Sequence, residues 1–168
     1  MLSSLAAIAL LAPLADTFVV EGDAGPGRGK HIVLLAGEEE YRSEEMLPQL
    51  AKILAKRHGF RCTVVFSLND KGEIDPNARD RQPGIEALKT ADLCVMMLRF
   101  RRWDDATMKH FVDYEKSGKP IIALRTSTHA FDYPADSTSA YRDYSWQING
   151  GFGKRVLGET WVSHWGNH

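Results

Sequence analysis

Three short stretches concentrate side chains able to bind polar groups or move protons: Glu38-Glu39-Glu40-Tyr41-Arg42-Ser43, Arg99-Phe100-Arg101-Arg102-Trp103 and Arg125-Thr126-Ser127-Thr128-His129. Carboxylates accept the hydroxyls of a polyol, guanidiniums present a rigid fork of donors to an anion, and an imidazole exchanges protons near neutral pH. In that chemistry His129 is the candidate acid or base, Glu40 its partner carboxylate, and Arg125 a clamp on an anion or a hydroxyl. Arg42, Arg101, Thr126, Ser127 and Trp103 are the candidate substrate contacts. A single polar residue just past a strand faces solvent more often than it serves a site, so the weight rests on three such stretches occurring together.

Other chemistries are less well supplied. A thiol nucleophile needs an activating base, whereas Cys62 and Cys94 sit in apolar runs and read as buried thiols, with a disulfide between neighbouring strands as the alternative in an oxidising compartment. Ser127 lies two residues from His129 and has no glycine-flanked elbow, so it is a poor nucleophile. His164 and His168 are four apart, and with His129 and one of Glu38, Glu39 or Glu40 they offer a ligand set for a divalent ion such as zinc. His-x3-His is a usable pair only on a helix, and the glycine- and tryptophan-rich surroundings argue against one. Trp103, Tyr133, Tyr141, Tyr144, Trp146, Trp161 and Trp165 offer faces for sugar rings, but they suit a core equally well.

The elements that must position these stretches follow from periodicity. Residues 31–36 (HIVLLA), 62–68, 92–100 and 120–124 are short, nearly continuous apolar runs, the pattern of strands buried on both faces. Between them, 44–59 repeats Leu47, Leu50, Ile53 and Leu54 at helical spacing, with Ser43 as its cap and Gly59 as its stop. A brief helix is expected at 85–90, and a longer one opens on Asp104 and Asp105, runs through Met108, Phe111 and Val112, and stops at Gly118. The polar stretch 69–83 reads as a long surface excursion. From 132 onward periodicity fades; 153–158 reads as a short helix and 159–166 as a strand or a loop. Strands alternating with helices predict a parallel, doubly wound sheet of flavodoxin-like type, covered by helices on both faces. Ligands then bind at the carboxyl ends of the strands, where all three polar stretches fall.

At 168 residues, 43% hydrophobic and 26% charged, the chain fits one ordinary globular domain. A formal net charge of −1 supplies no field for nucleic acid or for an anionic membrane. The apolar run 5–15 is too short to span a bilayer and reads as a signal peptide, with small residues at Ala15, or at Gly22 and Ala24, to suit a peptidase. The expected organisation is therefore a leader over 1–24, a linker over 25–29 and a folded domain over 30–168, in an exported, periplasmic or extracellular protein.

GKHIVLLAGEEEYRSEE, LRFRRW, GKPIIALRTSTHAF and GETWVSHWGNH together resemble the ThuA-like family, named for trehalose utilisation, over residues 30–168. In ALRTSTHAF, His129 matches a family histidine, while Arg125 stands where many members carry the first histidine of that segment. GETWVSHWG is similar to the family's F-x-x-H-P element and places His164 on its histidine, with Trp165 in place of the proline. The resemblance implies a class I glutamine amidotransferase-like fold without glutamine hydrolysis, since no cysteine occupies the elbow. It also implies a role in bacterial carbohydrate metabolism, as a hydrolase, lyase or isomerase on a glucoside or its oxidised derivative. A non-catalytic sugar- or metal-binding module is the alternative. The family domain continues beyond the equivalent of His168, so a C-terminal strand is expected to be missing.

Overall fold

The computed structural model describes residues 17–163. Five strands form one sheet: β1 (Thr17–Val20), β2 (His31–Gly37), β3 (Arg61–Phe66), β4 (Leu93–Leu98) and β5 (Ile121–Ala123), in spatial order β1-β3-β2-β4-β5. β2 to β5 are mutually parallel, and β1 alone runs antiparallel, with Thr17 opposite Val65 and Val20 opposite Cys62. Two helices of three turns or more, α1 (Ser43–His58) and α2 (Asp105–Lys116), follow β2 and β4. This is an α/β architecture with one antiparallel edge.

β2, β3 and β4 are buried on both sides, whereas β5, expected to be so too, is an edge strand with Ile122 47% exposed; alternation assigns each residue to a face. Ile32, Leu34, Ala36, Val64 and Phe66 pack with Leu47, Ala51 and Ala55 of α1. Val33, Leu35, Met96 and Leu98 pack on the other face with Met108, Phe111 and Val112 of α2 and with Ile85 and Leu88 of the turn Ile85–Thr90. On that second face Trp103, Phe111, Phe131 and Phe152 form an aromatic cluster, with ring centroids 5.2 to 6.1 Å apart. Edge-on aromatic pairs of this kind contribute about 1 kcal/mol each beyond the area they bury.

Several expectations are corrected. Ser43 is not a side-chain cap: Arg42 holds the capping position in a left-handed conformation, and Ser43 is the buried first residue of α1. The buried stripe of α1 is Ser43, Leu47, Ala51 and Ala55, while Ile53 is 54% exposed. The two cysteines are free, and they cannot meet: Cys62 and Cys94 lie on strands that flank β2 and in the cores of opposite faces. Burial pushes the Cys62 thiol up to about 11, and Cys94 higher still, so neither is a nucleophile at neutral pH. β1 lies inside the stretch read as leader. Residues 153–157 form a single π-helical turn, Gly153–Leu157, ended by Gly158 at φ 87°, and 158–163 has no regular structure.

Sheet order reverses at β2, which has β3 on one side and β4 on the other. The crevice between the carboxyl ends of β2 and β4 is where a parallel sheet presents ligand sites, because the connecting loops diverge there.

Candidate functional site at the carboxyl edge of the sheet

The loop after β2 is organised by a carboxylate. Glu38 is wholly buried; its Oε1 accepts the Glu40 N–H at 2.9 Å and its Oε2 the Tyr41 N–H at 2.7 Å. Ser43 Oγ accepts the Glu38 N–H and donates to the Glu38 carbonyl, both at 2.9 Å, which closes the loop into a rigid turn. Burial holds the Glu38 carboxyl above the usual carboxylate range, against the two backbone donors that favour its charge.

From the loop after β4, Arg99 reaches across the crevice. Its Nη1 donates to Glu39 Oε1 at 2.6 Å and lies 3.7 Å from Glu40 Oε2. The Arg99 Nε is buried and has no hydrogen-bond partner among the described residues. Phe100 follows at φ 56°, a conformation rare for a bulky residue, and its N–H donates to the His129 carbonyl at 3.0 Å. That bond ties the loop after β4 to the loop after β5.

The loop after β5 is the helical turn Arg125–His129. Arg125, at φ 49°, lays its guanidinium over the Tyr41 ring at 4.0 Å and so bridges back to the first loop. The His129 ring is 3% exposed and held between Phe100, at 5.1 Å, and Trp161, at 4.9 Å. Its Nδ1 lies 3.4 Å from Thr128 Oγ1. Trp146 completes the surround, 6.1 Å from Phe100 and 4.9 Å from Trp161.

Arg42, Phe100 and Arg125 are the only non-glycine residues at positive φ among the described residues, and all three sit at this edge. Left-handed backbone costs an L-residue about 1–2 kcal/mol, and it persists only where the surroundings over-determine it. No family model matches the chain, and no curated protein or solved structure matches it either. The edge therefore has to be read from its own geometry.

Of the residues singled out by sequence, Glu40, Arg125 and His129 are gathered at this edge through Arg99, Tyr41 and Phe100. Arg42 is exposed there and pairs with Glu45 on its own helix. Four others are placed in the framework. Arg101 is wholly buried: it donates through Nε to the Arg99 carbonyl, through Nη1 to Ser67 Oγ and the Ala78 carbonyl, and through Nη2 to the Pro76 carbonyl, at 2.7 to 3.0 Å. It is a strut rather than a substrate clamp. Trp103 is 1% exposed in the aromatic cluster, too deep to stack on a ligand. Ser127 Oγ accepts the Leu98 N–H and lies within donating distance of the Met96 and Leu124 carbonyls, and Thr126 Oγ1 donates to the Leu98 carbonyl. Both hydroxyls staple the turn to β4. His164 and His168 lie outside the described residues, and among the described residues no group of three or more His, Cys, Asp or Glu side chains is placed to hold a metal ion.

Sequence reasoning missed Arg99, Phe100 and the buried role of Glu38. The available signal was position: each stands within two residues of the end of a strand that borders the order reversal.

Proposed function

We propose that the chain is a ThuA-like domain on a doubly wound, flavodoxin-like sheet of the class I glutamine amidotransferase-like kind, and that its carboxyl edge acts on a carbohydrate. The observation that carries this reading is the convergence of one imidazole, two guanidiniums and a pair of carboxylates over the β2/β4 crevice, bordered by the aromatic rings of Tyr41, Trp146 and Trp161. Carboxylates and guanidiniums match sugar hydroxyls and aromatic faces match the ring, which is the donor set a glucoside or its oxidised derivative requires.

In this reading His129 transfers the proton, to a leaving oxygen in a hydrolase or lyase or between carbons in an isomerase. Phe100 and Trp161 fix the ring plane, so the imidazole needs no reorientation as the reaction proceeds. Arg99 orients Glu39 and Glu40 towards the crevice, and Arg125, braced on Tyr41, holds a hydroxyl or an anionic group. Export, read from the apolar run 5–15, and a divalent ion such as zinc held through His164, read from its four-residue spacing to His168, are further parts of the proposal.

The test is a product screen, by mass spectrometry and NMR, over glucosides and their oxidised derivatives. His129→Ala is expected to lower turnover by about 10²- to 10⁴-fold, and His129→Gln, which keeps most of the buried volume, to lower it comparably with a smaller loss of melting temperature. Full activity in either variant would remove His129 from the chemistry. A non-catalytic sugar-binding module is the second reading, favoured by the near-complete burial of His129 beneath Trp161. Saturable binding with no product over the whole screen would establish it.

A further inference from the structure

A second polar cleft, of about 300 Å³, opens beside the candidate site, between the excursion that follows β3 and the loop that follows β4. Asn69, Asp70, Arg79, Asp80, Arg81 and Arg102 are among its lining residues. Its wall is built rather than loose. Arg101 takes the Pro76 and Ala78 carbonyls, the Arg102 N–H takes the Arg79 carbonyl at 2.9 Å, and the Leu68 N–H takes the Arg81 carbonyl at 3.3 Å. With those carbonyls turned inward, the backbone of 76–81 is pinned and Arg79, Asp80 and Arg81 line the opening.

The charges of the cleft are unevenly satisfied. Arg102 is bound to Asp132 at 2.9 Å, and Arg81 lies 3.6 Å from Asp70. Arg79 is half-buried and has no carboxylate partner among the described residues; its guanidinium rests 5.5 Å from the centre of the Phe100 ring. Asp80 is exposed and forms no ion pair or side-chain hydrogen bond among the described residues. Phe100 links the cleft to the candidate site through Arg79, since the same ring contacts Arg99 at 4.8 Å and His129 at 5.1 Å.

We propose that this cleft binds the carboxylate of a polyhydroxy acid, with Arg79 as the anion contact and Asp80 accepting an adjacent hydroxyl. A guanidinium braced on an aromatic face keeps its donor fork free for a two-point contact with a carboxylate. Asp80 repels a phosphate dianion more strongly than a singly charged carboxylate, and it can accept the hydroxyl that neighbours that carboxylate in a polyhydroxy acid. The inference rests on the carbohydrate reading only for the word sugar: joined across Phe100 to the site of His129, the cleft selects a sugar acid as the substrate class.

The experiment is isothermal titration of the full chain with glucuronate, glucose and inorganic phosphate, on the wild type and on Arg79→Met, Asp80→Asn and His129→Ala. Glucuronate is expected to bind the wild type and to weaken tenfold or more in Arg79→Met, with an unchanged melting temperature and with glucose binding unaffected. Asp80→Asn should narrow the preference for glucuronate over phosphate. Absence of glucuronate binding up to about 10 mM, equal binding by wild type and Arg79→Met, or phosphate binding more tightly than glucuronate would each overturn the proposal. The two readings separate cleanly. If His129→Ala abolishes turnover of a neutral glucoside while Arg79→Met changes nothing, the cleft fails and the site stands. If glucuronate binds through Arg79 and no sugar is ever converted, the cleft stands alone.

Discussion

Arg101 shows how one side chain serves two loops at once. Its guanidinium satisfies three backbone carbonyls and the Ser67 hydroxyl, and Ser67 in turn donates to Gln82 Oε1 at 2.8 Å, while Gln82 Nε2 donates to the Ala36 and Val65 carbonyls. Burial lowers the guanidinium to about 10, with Glu39 pulling the other way, so it remains charged at neutral pH. Arg101→Met leaves those acceptors buried and unpaired and is expected to cost about 3 kcal/mol in urea unfolding. Lysine should not rescue it, because a point charge cannot reproduce the fork. At the opposite end of β2, His31 is buried, with Nδ1 3.0 Å from Thr90 Oγ1 and Nε2 2.9 Å from Thr63 Oγ1. Burial first, and Arg61 second, lower its pKa from 6.5. The unfolded chain then binds a proton on this residue before the folded chain does, so its contribution to stability is complete above pH 6.5 and is lost as pH falls towards the lower folded value. Unfolding free energies at pH 7.5 and 5.5 should differ in that direction, and His31→Gln should shrink the difference. Glu38 acts with the opposite sign: its raised carboxyl gives a contribution that is complete below the unfolded value of 4.5 and is lost as pH rises through the higher folded value.

The ends of the strands position the site, and Gly37 at the end of β2 is the tightest point. A Cβ there would lie 2.8 Å from Ser67 Oγ, 3.0 Å from Leu98 Cδ2 and 3.2 Å from Arg101 Cδ. The missing side chain leaves room for Arg101 to pass over the end of β2, from the loop after β4 to Ser67 beyond the end of β3. Gly37→Ala is therefore expected to destabilise by about 1–3 kcal/mol, the usual range for overpacking a close-packed interior. It should also displace Arg99 and Arg101 together, seen as faster amide exchange over residues 76–79.

For the whole molecule, β1 covers the outer edge of β3. Phe18 and Val20 pack against the α1 face of the sheet, and Glu21 lies 3.2 Å from Arg61. Cleavage after Ala15 keeps this strand, whereas cleavage after Ala24 removes it and bares the edge of β3. If the chain is exported, mass spectrometry of the mature protein should find Asp16 at its amino end. A recombinant chain beginning at Gly25 should lose roughly 2 kcal/mol of stability through the apolar area uncovered, about 5 °C in melting temperature for a domain of this size. Equal melting temperatures for chains beginning at Asp16 and Gly25 would show that β1 contributes nothing.

Local pattern determined much of this protein. The continuous apolar runs at 31–36 and 92–100 could only be doubly buried strands, the i, i+4 spacing made α1, and Asp104, whose side chain accepts the Thr107 N–H at 2.7 Å, marked the start of α2. That the three polar stretches share one edge also followed, because parallel strands put all their following loops on the same side. Tertiary structure alone decided which of those polar residues remain available. Arg99 and Arg101 are two apart and chemically identical, yet one spans the crevice and the other is buried as a strut. The distinction depends on Gly37, Ser67 and the Pro76 and Ala78 carbonyls, all more than 20 residues away in the chain. β1 was equally hidden, since TFVV follows closely on the apolar run 5–15 and acquires a strand's identity only by pairing with β3. Sequence periodicity reports burial along one element; it carries no record of which distant acceptor a buried donor will find.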